Sequence, residues 1–302
     1  MSSKPKPGPA TDYFDTGSKK GRGRGMARRS LELIEEMYAV AKAAQPLTGR
    51  GVGYKLFTRD LIASMARPEM ARVYRLLLAA RERGRIPWEW IVDEIRALER
   101  VSTWADPAAY ARCVARSYRR DFWNHQPVRV QCWSEKGTAR GVLAPVLDHY
   151  AVGFRVLHGF SGATTVHDVA QDDDGRELIV LYVGDFDPSG MFMSEEDLPA
   201  RLAEYGGHHI TLTRIALTRA QVNSLPSFPA TDKRKDPRYK WFRSNFGDRC
   251  WELDAMDPND LRDCVEREIV RLIEPVAWQR CEVVNAAEQE SLKTILEKWG
   301  AP

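Results

Sequence analysis

Glu135, in WSEKG, and Asp185 and Asp187, in GDFDPSG, are the residues of this 302-residue chain whose types and spacing lend themselves most directly to chemistry. Residues i and i+2 of an extended segment face the same way, about 6–7 Å apart, so the two aspartates can converge on one ion. Glu135 brought alongside from a neighbouring strand would crowd three carboxylates together, and such a cluster stays ionised only with a compensating cation. Oxygen-only donors select Mg²⁺ or Mn²⁺, which keep waters and take substrate phosphate oxygens as further ligands. Read alone, D-x-D-P serves equally as the turn after a strand. The glutamate at another strand end and the apolar run before Asp185 tip the reading toward metal.

Strands and helices must position these groups. From Pro127 onward VRVQCW, FRVLHGF, ELIVLYVGDFD and HITLTRIAL read as strands. Between them GTARGVLAPVLDHY, ATTVHDVA and LPARLAEYG read as helices. Such alternation predicts an α/β domain with a mostly parallel sheet flanked by helices. The apolar run Leu178 to Val183 suits a central strand buried on both faces. Ligands of such sheets gather beyond the carboxyl ends of the strands, where Glu135, the GFSG stretch Gly159 to Gly162, and Asp185 with Asp187 all fall. Residues 218–248 are rich in Pro, Lys and Arg and read as loop; CWELDAM reads as a last strand, followed by a helix from Asn259 to Ile273.

The first third is helical. Leu31, Ile34, Met37, Tyr38 and Ala41 predict a helix that ends at Gln45-Pro46; a second covers Thr48 to Leu61 and a third Pro68 to Glu82. Ile86, Trp88, Trp90 and Val92 alternate as a short strand would. Three helices and an extended piece make the order of a winged helix, and Arg72, Arg75 and Arg81 on the third helix suit contacts to a DNA backbone. A solvated charged face is the plainer reading of the same arginines. A further helix is expected from Pro107 to Phe122. The division is a tail over 1–29, a winged-helix unit over 30–122, and the α/β domain with a helical extension over 123–302.

Residues 1–29 carry eight Lys and Arg against Asp12 and Asp15, which leaves the rest of the chain net negative although the whole is +3. Rich in Gly, Pro and Ser, this tail is expected to be disordered, as a phosphate-seeking arm or a solubilising leader. No apolar run is long enough to span a membrane and no signal peptide is evident, so a cytoplasmic, nucleoid-associated location is expected. The five scattered cysteines form no C-x-x-C pair, and the six histidines no zinc pattern, although His158 and His167 fall near the second strand's exit.

WSEKGTARGVLAPVLDHY, HGFSGATTVHDVA and LIVLYVGDFDPSG resemble the Toprim domain of the topoisomerase VI A subunit and of the related meiotic double-strand-break protein, and WELDAM resembles that family's C-terminal segment. The resemblance implies Mg²⁺, with Mn²⁺ an alternative, on Glu135, Asp185 and Asp187. LTGRGVGYKL resembles the family's nucleophile motif, in which an Arg stands four residues before the catalytic tyrosine; Arg50 and Tyr54 fit, while Gly51 and Gly53 replace the usual acidic and aromatic residues. Residues i and i+4 share a helix face, so Arg50 can stay beside a phenol whose ionisation at neutral pH costs roughly 4 kcal/mol.

The family likeness implies a homodimer on double-stranded DNA, Tyr54 of one subunit working with the metal of the other to leave a 5′-phosphotyrosyl double-strand break. Lys136, beside Glu135, is a candidate phosphate contact or a plain surface lysine. An ATPase partner of the B type is compatible with the family but not implied by this chain, whose length resembles that of the stand-alone A-like proteins. Two other readings stay open: a Toprim hydrolase using metal-activated water, and a DNA-binding protein without catalysis.

Overall fold

Helical periodicity in the first third is realised as α1 (Arg28–Ala44), then, after the two-residue strand β1 (Leu47–Thr48), α2 (Gly49–Phe57) and α3 (Arg67–Glu82). The structure, a computed structural model, describes residues 28–92, 101–157 and 163–299; residues 1–27 of the basic tail, the GFSG stretch and His158 lie outside them. Leu33, Met37 and Val40 of α1, Val52 and Leu56 of α2, and Val73 and Leu77 of α3 close into one apolar core. Each such side chain contributes about 1.5–3 kcal/mol when fully buried. The second helix stops at Phe57 rather than Leu61, because a turn follows in which Asp60 takes φ 57°.

The extended piece expected from Ile86 is instead a 3₁₀ turn over Trp88–Trp90 and a two-residue strand, β2 (Ile91–Val92), parallel to β1. Alternation there reflects Ile86 and Ile91 turning into the helical core while Trp88 faces out. The next helix, α4 (Pro107–Ser117), ends short of Phe122, which with Trp123 packs against Trp278.

Then comes the α/β alternation: β3 (Val128–Ser134), α5 (Gly137–His149), β4 (Gly153–Val156), α6 (Ala163–Gln171) and β5 (Glu177–Val183). These continue into α7 (Pro188–Phe192), a π-helical turn over Met193–Asp197, α8 (Leu198–Glu204) and β6 (Ile210–Ala216). All pairings of the four-stranded sheet are parallel, in the spatial order β4-β3-β5-β6. Strand β5 shows why its sequence is continuously apolar: Leu181 and Val183 pack with α5, while Leu178, Val180 and Tyr182 pack with α6 and α8.

Residues 218–248 are more ordered than their composition suggests, with α9 (Arg219–Val222), β7 (Phe228–Pro229), a 3₁₀ turn over Ala230–Lys233 and α10 (Tyr239–Phe246). Phe242 and Phe246 of α10 meet Phe186 edge to face, an aromatic contact that loop composition hides. CWELDAM is only partly extended: β8 (Arg249–Cys250) pairs with β7, and Leu253–Ala255 form a 3₁₀ turn. Next, α11 (Pro258–Leu272) packs with α5, and the 25-residue α12 (Pro275–Trp299) closes the chain.

Buried Arg262 of α11 ties the helical third to the sheet. It donates to the carbonyl oxygens of Ala44 (3.1 Å), Gln45 (3.2 Å), Pro46 (3.1 Å) and Val142 (3.1 Å). The start of α2 is thereby fixed over the end of the sheet. Among the described residues, no helix is long and apolar enough to cross a membrane.

Candidate active site

The sheet order places the site. From β3 the chain moves out to β4 on one side and returns to β5 on the other, so the carboxyl ends of β3 and β5 border a topological switch point, where open α/β sheets hold ligands. Glu135 follows β3 directly. Asp185 and Asp187 do not lie in β5 as the i, i+2 argument supposed; the strand ends at Val183, and the pair occupies the turn into α7. Between them Phe186 bridges to Trp251 through paired backbone hydrogen bonds of 2.9 Å. Extended geometry around that bridge still brings both aspartates to one place.

Each aspartate is held. Asp185 Oδ1 accepts from the Leu253 N–H (2.7 Å) and from Lys136 Nζ (2.8 Å). Asp187 caps α7, its Oδ1 accepting from the Gly190 N–H at 2.8 Å, while its Oδ2 takes Lys233 Nζ at 2.9 Å. Gly190 is demanded by closeness: a Cβ there would lie 2.4 Å from the Asp185 carbonyl oxygen and 3.2 Å from Glu135 Oε1. Beneath the turn, buried Arg214 donates to the carbonyls of Gly184 (3.0 Å) and Gly190 (2.6 Å), locking the loop that carries the pair.

The electrostatics are those of a site short of positive charge. Burial, with Asp185 and Asp187 nearby, pushes the Glu135 carboxyl up to about 7. The Asp185 carboxyl is also raised, by burial first, against the pull of Lys136. Burial works against the charge of Lys136, yet Asp185 and Asp254 hold its ammonium well above the ordinary lysine range. Lys136 is thus no surface lysine; it bridges Asp185 and Asp254 Oδ2 (3.0 Å).

Among the described residues no group of three or more His, Cys, Asp or Glu side chains is already gathered as a metal site. The donor chemistry of Glu135, Asp185 and Asp187 is nonetheless of the hard oxygen kind that fits a divalent cation, and an ammonium group has been drawn onto each aspartate. A pH effect follows from Glu135. A carboxyl whose folded pKa lies above its unfolded value stabilises the fold at low pH, and that contribution is lost as pH rises through the folded value. In metal-free protein, Glu135→Gln is therefore expected to flatten the fall in melting temperature between about pH 5 and 8.

Tyr54 and Arg50 lie on α2, whose N-cap Thr48 accepts from the Gly51 N–H at 2.8 Å and donates to Asp254. A cap worth about 1 kcal/mol and a buried face offset Gly51 and Gly53 within this helix. The Arg50 guanidinium stands 5.8 Å from the Tyr54 ring centroid, as i, i+4 spacing requires. Its charge and hydrogen bonding ease ionisation of the phenol, as expected. Burial, then the Glu252 charge, nonetheless outweigh Arg50 and Lys136 and push Tyr54 above the ordinary tyrosine range, and both carboxylate oxygens of Glu252 engage Arg50.

A cleft of about 670 Å³ joins the two halves. Thr48, Arg50 and Arg81 line it from the helical side, and Glu135, Lys136 and Thr138 from the sheet side. Arg81 stacks over Trp88 at 4.3 Å. Arg72 pairs with Glu69 at 3.8 Å, and Arg75 is exposed; neither lines the cleft. His167 is exposed beside Asp168 and is not among the residues lining the cleft.

Sequence reasoning missed Glu252, Asp254 and Lys233. The first two repeat the acid-x-acid spacing of Asp185 and Asp187, a signal obscured when the segment was read as a strand; Lys233 had none, being one of several cations in a basic stretch. Compared with known proteins, the chain significantly matches no protein-family model, no curated protein and no solved structure.

Proposed function

We propose that this protein cleaves double-stranded DNA by transesterification, with Tyr54 as nucleophile and a divalent cation held by Glu135, Asp185 and Asp187. On this reading the sheet is a Toprim domain and the helical third is a winged-helix unit. The observation that carries the proposal is that one cleft is lined both by Arg50, four residues before Tyr54, and by Glu135, while Tyr54, Asp185 and Asp187 lie off its lining. A bound cation would supply charge neutralisation and orientation of the phosphate.

The chain's own residues do the rest. Arg50, released from Glu252, offers a planar fork to two phosphate oxygens. Arg81 and Lys136 add positive charge along the cleft. The Tyr54 oxygen bonds to phosphorus as the bond to the 3′ oxygen breaks, and the phenol's proton ends on the released 3′-hydroxyl. Two such cuts, one per subunit of a homodimer, break both strands. Burial of Tyr54 favours a second reading, in which water replaces the phenol and the same cation-dependent crevice hydrolyses the phosphodiester.

Mixing variants tests the proposal. Tyr54→Phe and Asp185→Asn are each expected to leave supercoiled plasmid uncut in Mg²⁺ or Mn²⁺. If the tyrosine works with the partner's cation, a mixed dimer regains one complete site and nicks the plasmid. If it works with its own, the mixture stays inert. Cutting by Tyr54→Phe alone would refute the transesterase.

A further inference from the structure

Two lysines neutralise the acidic crevice, and their settings differ. Lys136 lies between two carboxylates, buried Asp185 at 2.8 Å and partly buried Asp254 at 3.0 Å, and its backbone N–H is tied to Ser134 Oγ at 3.1 Å. Displacing it takes the ammonium from both carboxylates at once. Lys233 makes one contact, 2.9 Å to Asp187 Oδ2, from the last residue of the 3₁₀ turn Ala230–Lys233, and its side chain is 41% exposed against 5% for Asp187. An ammonium on a flexible, half-exposed stem exchanges readily for water or for another cation.

The oxygens open to a cation can be assigned one by one. Asp185 Oδ1 is used by the Leu253 N–H and Lys136, and Asp187 Oδ1 by the Gly190 N–H that begins α7. Among the described residues Glu135 accepts no hydrogen bond, so the oxygens left for a cation are those of Glu135, Asp185 Oδ2 and Asp187 Oδ2. Lys233 sits on the last of these.

We propose that Lys233 is the displaceable counter-ion of this crevice, competing with the divalent cation for the Asp187 carboxylate. The inference rests on the reading that the three carboxylates bind such a cation. Without the cation, Lys233 closes the site and keeps Asp187 from standing unpaired beside Asp185. With it, the ammonium leaves Asp187 and becomes available at the mouth of the crevice to an incoming anion. Lys136 stays in place in both states, so the cation replaces one positive charge rather than two.

Binding of Mn²⁺ alone to the full chain, followed by loss of the free-ion electron paramagnetic resonance signal at neutral pH, tests this without any turnover. Lys233→Gln is expected to lower the Mn²⁺ dissociation constant about tenfold, ~1.4 kcal/mol. Lys233→Ala is expected to match it. Lys235→Gln, which removes the same charge from an exposed position two residues on, should stay within about twofold of wild type. Equal affinity for wild type and Lys233→Gln, or equal tightening by Lys235→Gln, overturns the competition while the cation site stands. Absence of Mn²⁺ binding in every protein overturns both.

Discussion

Tyr54→Phe is expected to abolish protein attached to DNA ends, a loss of at least ~10³-fold, as when the nucleophile of a covalent mechanism is removed. The substitution is a clean one. Tyr54 is buried, so Phe keeps the ring and deletes only the reacting oxygen. The resting arrangement also explains why the effect should be so complete. The other side chain of α2 that could act as a nucleophile, Lys55, is engaged by Asp257.

Asp185→Asn carries the second large effect. The amide oxygen can still accept from the Leu253 N–H and from Lys136, which hold the native carboxylate at 2.7 and 2.8 Å, so the loop should keep its shape. What is lost is one negative charge, the oxygen facing the crevice as an anionic ligand, and part of the repulsion that raises Glu135. Cleavage is expected to fall ~10²–10³-fold, the usual scale for removing one preorganised electrostatic contact to the reacting group. Asp185→Ala is a poorer probe, because it leaves the partly buried Lys136 with Asp254 alone and takes the acceptor from the buried Leu253 N–H. The two aspartate variants measured together by chemical denaturation and plasmid cleavage separate loss of chemistry from loss of fold.

Much of the fold was legible because it follows from periodicity. The continuous apolar run Leu178 to Val183 marks a strand buried on both faces, and the helical spacing of Leu31, Ile34, Met37, Tyr38 and Ala41 marks α1. The elements that escaped are held by contacts distant in sequence. Residues 218–248 are ordered by Phe242 and Phe246 packing on Phe186, and Trp88–Trp90 form a 3₁₀ turn although their spacing suggests a strand. The site shows the same division. Glu135, Asp185 and Asp187 were readable from where they fall after apolar strands. Their counter-charges were not, since a lysine that answers a carboxylate 46 or 49 residues away, as Lys233 answers Asp187 and Lys136 answers Asp185, leaves no local pattern. The same holds for Glu252, whose charge, after burial, opposes the help that Arg50 gives the Tyr54 phenol.

The most direct test of the central claim is to identify the residue that becomes joined to DNA. Protein incubated with duplex DNA and Mn²⁺ would be quenched in detergent, trimmed with nuclease and protease, and analysed by mass spectrometry. The account predicts a peptide containing Tyr54 that carries a 5′-nucleotide through phosphate on the phenolic oxygen. Cut DNA with free 5′ ends and no modified peptide, or a nucleotide on any other residue, would contradict it.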